Sequence, residues 1–307
     1  MDGLKLNALC VKAVDYKDNK TLLTLCTIEK GKIGAAISGV KSEKSKLRFA
    51  ASLLCFGEYI FSERGGRYTV TGCTLTDGFF EARNGVERLY SALAVTEILD
   101  KTTEEHTDIS ANIYSALNAL KNIAYGENPL GALLEYTVAA SAEAGYAIDL
   151  KTCAGCGAPA AEGWFDAETG GGVCGACRTR NSVGMSKGAF RLLYNTVYNK
   201  KRGIEPRENG VLNSANSGAK TQKNDALNSE DIGAKAQGNE VFSSENSGAK
   251  TRRNDALNSG NGSIEIHKND LEDNLYECLR VVNSYFSACN EVRINALNQL
   301  LSLRFFK

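Results

Sequence analysis

Apolar and polar residues alternate in short runs through the first eighty positions of the chain. LNALCVKAV, TLLTLCTI, IGAAISGV, YIFSE and RYTVTGCTL are rich in β-branched, aromatic or other apolar residues and are partly period-two. The pattern predicts five strands. Glu29-Lys30-Gly31-Lys32 and Arg64-Gly65-Gly66-Arg67 sit between runs, where glycine suits the positive φ of a hairpin turn. Five short strands with tight turns point to a small closed barrel, which leaves no exposed sheet edge; the OB-fold is one such solution.

From Val86 the period changes to about 3.6 residues, the repeat of an amphipathic helix. Val86, Leu89, Tyr90, Leu93 and Leu99 form one stripe, and Ile113, Leu117 and Leu120 a second. Pro129 suits the first turn of a third helix, LGALLEYTVAASAEAGY. Another helix is expected through AFRLLYNTVYNK. The last is expected at roughly 269–289, with Leu271, Leu275, Cys278, Val282, Tyr285 and Cys289 on one face. Such stripes are core and carry no function by themselves.

Between these last two helices the pattern disappears. NSGAKTQKNDALNS (216–229) recurs as NSGAKTRRNDALNS (246–259), with a degenerate copy, DIGAKAQGNEVFSS (231–244), midway. The segment is rich in Asn, Ser, Gly, Ala and Lys and has one aromatic, Phe242. Its apolar content is too low to offset the cost of ordering its backbone. Residues of about 204–263 therefore read as a disordered, duplicated insertion.

Composition narrows the picture. The chain has 307 residues, 43% hydrophobic and 23% charged, with a formal net charge of zero. No global field draws it to nucleic acid or membrane, so any polyanion site is a local patch. No apolar run approaches the ~18 residues that span a bilayer, and the N-terminus lacks a signal-peptide pattern. The expected compartment is the cytoplasm, where disulfides seldom persist and paired cysteines point to metal or catalysis. Cys10, Cys26, Cys55, Cys73, Cys278 and Cys289 are scattered in apolar stretches and read as small buried hydrophobes.

The other four cysteines form two C-x2-C pairs, Cys153 with Cys156 and Cys174 with Cys177, seventeen residues apart. Each turn offers two thiolates, and the linker can bring both turns around one ion tetrahedrally. A single structural Zn2+ is expected at 153–177. Four protein ligands leave no open position, so the site holds the chain and does no catalysis. A redox pair would call for a single C-x-x-C beside a βαβ pattern, absent here. Gly170, Gly172 and Gly175 satisfy G-x-G-x-x-G but lie between the cysteine pairs, not between a strand and a helix. The resulting fold class is α+β: an N-terminal OB-fold β-barrel (1–80) followed by an α-helical domain (81–307) containing the four-cysteine zinc site.

Catalytic groups are scarce. His106 and His267 are the only histidines, both among polar residues, and the acids at 97–108 read as a solvated helix end or loop. The chain is not expected to be an enzyme. Lys30, Lys32, Lys41, Lys44, Lys46 and Arg48 place six positive charges against one acid, Glu43. With Phe49, Phe56, Tyr59, Phe61 and Tyr68 nearby, they suit single-stranded nucleic acid: cations neutralise phosphates and rings stack on bases. They equally suit a solubilising loop whose aromatics fill the core. Arg178 and Arg180, and Lys200-Lys201-Arg202, extend the candidate surface.

With barrel, helices and cysteine pairs in this order, the chain resembles the bacterial recombination and repair family RecO. The matching pieces are DYKDNKTLLTLCTIEKGKIGAAISGVKSEKSKLRFAASL, AGYAIDLKTCAGCG, FDAETGGGVCGACR and NSYFSACNEVRINALNQLLSLRFF. The resemblance implies binding of single- and double-stranded DNA and annealing of complementary strands. It also implies work with RecR, often with RecF, and recognition of the C-terminal tail of single-stranded-DNA-binding protein. Together these load RecA onto coated gaps. Cys153, Cys156, Cys174 and Cys177 match the family's zinc ligands, and the run 41–48 matches its basic strand-end segment. No membrane or small-molecule partner is implied. Two features depart from the family: the insertion replaces a much shorter connection, and some members lack the cysteines, which links zinc to stability more than to activity. The alternative function is a zinc-stabilised protein-interaction adaptor that touches no DNA.

Overall fold

The computed structural model describes residues 3–16, 19–159, 163–198 and 268–304. The repeats at about 204–263, His267 and Lys200-Lys201-Arg202 lie outside the described residues.

Five strands, β1 (Leu4–Tyr16), β2 (Lys20–Thr27), β3 (Gly31–Ser38), β4 (Phe56–Arg64) and β5 (Arg67–Asp77), close a barrel in the order β1-β2-β3-β5-β4. Neighbours are antiparallel except β3 and β5, which pair in parallel through Ala35↔Tyr68 and Ala36↔Thr69. This is the OB-type barrel expected from the alternation. Long β1 serves two neighbours: Leu4–Leu9 pair with β4 and Ala8–Tyr16 with β2, with a register shift between Cys10 and Lys12. A bulge there bends the strand so that one chain segment can turn the barrel's corner.

Alternation sorts the side chains into two cores. Leu6, Ala8, Cys10, Leu23, Leu25, Ile33, Ile37, Tyr59 and Phe61 fill the barrel. Leu9 and Val11 on β1, with Cys26, Leu54 and Phe56, face outward and join the core of the helical body. Barrel and helices thus form one compact unit. Gly31 shows how close the approach is. Its φ is +70°, and a Cβ there would sit 2.0 Å from the carbonyl oxygen of Thr107.

The helical body comprises α1 (Val86–Thr102), α2 (Ser110–Tyr125), α3 (Pro129–Glu143), α4 (Lys187–Tyr198), α5 (Lys268–Asn290) and α6 (Asn295–Leu303). Asn128 caps α3, its side chain accepting from the Gly131 amide at 2.9 Å, with Pro129 in the first turn as expected. Two expectations need correction. The stripe on α1 is only part of its buried face: Val86 is 56% exposed and Leu89, Tyr90 and Leu93 are half-buried, while Leu99 is buried together with Ser91, Ala92, Ala94, Val95, Thr96 and Ile98. This helix packs against α2, α3 and α6, so small residues that admit close neighbours line it on several sides. Nor does the chain end its helices near 289; α6 follows after a turn at Glu291.

Among the described residues, no helix is long and apolar enough to cross a membrane.

Candidate metal centre and nucleic-acid surface

Between α3 and α4 the chain folds into a small ribbon, a sheet of β6 (Trp164–Asp166), β7 (Gly171–Gly172) and β8 (Ser182–Gly184) in the order β7-β6-β8. Phe165 anchors it, buried edge-on against Tyr285 of α5 with ring centroids 6.0 Å apart. Tyr198 of α4 adds a polar tie, donating to the Asp149 carboxylate at 2.5 Å and accepting from the Leu150 amide at 2.7 Å.

The two C-x2-C turns face each other above this ribbon. The Cys153 amide bonds to Ala158 O at 2.7 Å, Gly157 to Cys153 O at 2.8 Å, and Cys177 to Cys174 O at 3.0 Å, which tightens both turns. Ala154 N bonds across to Gly172 O at 2.9 Å and joins the first turn to β7. All four sulfurs lie within 4.8 Å of one another, and those of Cys156 and Cys174 are 3.9 Å apart. A tetrahedron with metal–sulfur bonds of about 2.3 Å has edges of about 3.8 Å, so the donor set fits such an ion. Gly155 is required by this closeness: a Cβ there would sit 2.7 Å from the Cys177 Cβ.

The electrostatics suit thiolates. Backbone amides of Cys174, Cys156 and Gly155 point at the Cys153 sulfur and bring its pKa down to about 6. The Cys177 thiol, hydrogen-bonded to the sulfurs of Cys174 and Cys156, is pushed up to about 12. Adjacent sulfurs that cannot all carry charge unaided are relieved by a cation. The isolated thiols differ. Cys10, Cys26 and Cys278 are fully buried, and burial is the leading cause that takes each to about 12. Gly170, Gly172 and Gly175 are ribbon residues with no helix directly after them, so their G-x-G-x-x-G lacks the strand–helix setting that dinucleotide binding needs.

The basic residues divide among three places. Lys41 and Arg48 line an open groove of about 540 Å3 with Val14, Asp15, Thr21 and Val40, and Lys41 Nζ lies 3.4 Å from Asp15. Lys44 and Lys46 are exposed on the same loop. Lys30 and Lys32 flank the other end of β3, roughly 25 Å away at the rise of an extended strand. There Lys30 Nζ sits 3.4 Å from the Tyr68 hydroxyl and 5.6 Å from its ring. Lys32 turns toward α1, donating to the Asp100 carbonyl at 2.7 Å and lying 3.5 Å from its carboxylate, with its side chain 13% exposed. Arg178 and Arg180 are exposed on the ribbon, the Arg178 guanidinium 5.0 Å from the Trp164 ring centre.

The aromatics do not form the expected stacking surface. Tyr59 and Phe61 fill the barrel and Phe56 the helical core; Phe49 and Tyr68 are half-buried. Alternation along β4 turns Tyr59 and Phe61 into the barrel, while Phe56 faces the helices. Sequence reasoning missed Val14, 49% exposed beside the groove, Trp164 on the ribbon, and Glu97. The first was legible as an outward position of β1. Acids at 97–108 are also not uniformly solvated: Glu97 accepts from the Ala296 amide at 2.8 Å, and Asp100 holds Lys32. Glu104, Glu105 and His106 are exposed.

The described residues thus form an OB-type barrel joined through one core to helices that carry a four-thiol ribbon. Residues 1–79 match the family model described as recombination protein O N terminal, and residues 83–203 the one described as recombination protein O C terminal. The chain is 33% identical to the DNA repair protein RecO of Myxococcus xanthus over 188 residues, 58% of this chain and 75% of that one. With the protein of the same name from Acetivibrio thermocellus it shares 26% over 204 residues, 65% and 81% of the two chains. With that of Anaeromyxobacter dehalogenans it shares 30% over 184 residues, 58% and 71%. The chain belongs to the RecO family, and that membership carries a role in DNA repair and recombination.

Proposed function

We propose that the protein is a non-enzymatic recombination mediator: it binds single- and double-stranded DNA and anneals complementary strands. In this reading it works with RecR, and with RecF, to load RecA onto DNA coated by single-stranded-DNA-binding protein, whose C-terminal tail it recognises. The observation that carries the reading is the groove holding Lys41 and Arg48, beside the turn between β1 and β2. OB barrels take oligonucleotides through that turn and the adjoining strand face. Cations there neutralise phosphates and reduce the repulsion that opposes two strands coming together. Lys44 and Lys46 extend the charge, while Lys32, held against Asp100, contributes to the fold instead.

Cys153, Cys156, Cys174 and Cys177 would hold one Zn2+ in this proposal. The ion supplies a fixed crosslink between the two turns, and full coordination by the chain leaves it no substrate position. The protein's place is the cytoplasm, on the nucleoid when DNA-bound.

The test is annealing of complementary oligonucleotides coated with cognate single-stranded-DNA-binding protein. Acceleration at substoichiometric amounts, lost when the coating protein's tail is deleted, is the expected result. No acceleration and no binding to bare strands would overturn it in favour of a zinc-stabilised adaptor.

A further inference from the structure

We propose that the outer face of the ribbon is a stacking platform for single-stranded DNA, on which a base lies against Trp164 while Arg178 and Arg180 meet the flanking phosphates. The inference rests on the DNA-binding reading above and adds a second contact surface, built by the ribbon and not by the barrel.

The observations begin with the pleat. Phe165 points inward and is fully buried, so its neighbour Trp164 points to the opposite face, where it is half-buried. The residue paired with Trp164 across the sheet is Gly184. A Cβ at that position would rest 3.5 Å from the indole, so glycine leaves uncovered a part of the ring that a side chain would shield. Arg178 already lies over the indole at 5.0 Å, the placement of a cation drawn to a π face.

Charge favours the same ligand. The two acids in residues 163–185, Asp166 and Glu168, both accept hydrogen bonds from ribbon donors. Asp166 is 1% exposed and accepts from the hydroxyls of Thr179 at 2.7 Å and Ser182 at 3.0 Å, and from the amides of Glu168 and Thr169. Glu168 accepts from Asn181 at 2.5 Å. Arg178 and Arg180 are both exposed, and Arg178 lies against the aromatic ring. Ring plus guanidinium matches an unpaired nucleotide: every base has a π face, and guanidinium recognises phosphate with directed donors. Paired bases in a duplex hide those faces, so the platform discriminates for single strands. Annealing needs two strands held at once; the barrel groove takes one and the ribbon the other.

Trp164 is the chain's sole tryptophan, so its emission reports on this surface alone. The full chain would be titrated with a fluorescein-labelled thymidine oligonucleotide, following dye anisotropy for binding and, with unlabelled oligonucleotide, tryptophan emission for stacking. The expected result is quenching that saturates with binding, and no quenching by a hairpin duplex. Trp164→Ala should weaken single-strand binding about tenfold, with Trp164→Phe restoring most of it. Arg178→Glu, which keeps the reporter, should abolish the quench. Binding without quenching, equal quenching by duplex, or unchanged affinity in Trp164→Ala would each overturn the inference and leave the groove reading standing. No anisotropy change at all would overturn both.

Discussion

Lys32 and Lys41 carry the same charge at opposite ends of β3, but their surroundings give them different work. Lys32 is held by the Asp100 carbonyl and carboxylate against α1. Lys32→Ala should cost about 1–2 kcal/mol of stability by leaving those acceptors unpaired, with DNA affinity unchanged, as read by denaturant titration and anisotropy. Lys41→Glu and Arg48→Glu should do the reverse. Each removes a phosphate contact and should lower the slope of log affinity against log salt by about 0.7 for single strands, at unchanged melting temperature. At the thiols, removing metal with a strong chelator should lower the melting temperature by roughly 5–10 °C and release one ion per chain. Four sulfurs should then react readily with a thiol reagent. Cys10, Cys26 and Cys278 should stay silent until the chain unfolds, because they are fully buried and no reagent reaches them.

Among the elements, α6 depends most on something distant. None of its own residues caps it; the Glu97 carboxylate of α1 accepts from the Ala296 amide at 2.8 Å and the Asn295 side chain at 3.0 Å, and pairs with Lys101 at 2.7 Å. Burial pushes the Glu97 pKa up, but these donors outweigh it and hold it below the ordinary 4.5. A carboxyl with a depressed folded-state pKa stabilises fully above its unfolded value, and the contribution is lost as pH falls through the folded one. Wild type should therefore lose about 1–2 kcal/mol below pH 4.5 that Glu97→Gln lacks at every pH, so their melting curves should converge in acid. This arrangement explains what the sequence could reveal. The five strands were legible because alternation and glycine turns are local. The cysteine pairs were legible because their spacing alone states a geometry. The α6 cap, the partner of Lys32 and the enclosed face of α1 depend on residues brought together only by folding, and no local pattern announces them.

For the whole molecule, the shared core decides cooperativity. Leu9, Val11, Cys26, Leu54 and Phe56 leave the barrel to pack among the helices, so neither part buries its apolar surface alone. Unfolding should be a single transition. Trp164 emission follows the ribbon, while circular dichroism of the full chain includes the barrel, and the two curves should superimpose. Leu9→Ala, at a fully buried position, should shift both together and cost about 2–5 kcal/mol. Separate transitions would mean that barrel and helices fold independently.

The barrel's parallel seam has a consequence for how the ring yields. Four of its joints are antiparallel ladders, whereas β3 and β5 meet through two residue pairs. Mechanically the barrel is a clip more than a hoop. It springs first where it is thinnest, and when it does it bares the long edges of β3 and β5, which can accept the edges of another opened copy. Crowded or heated samples should thus cross-associate through that gap, which makes it the place to reinforce in a hardened variant.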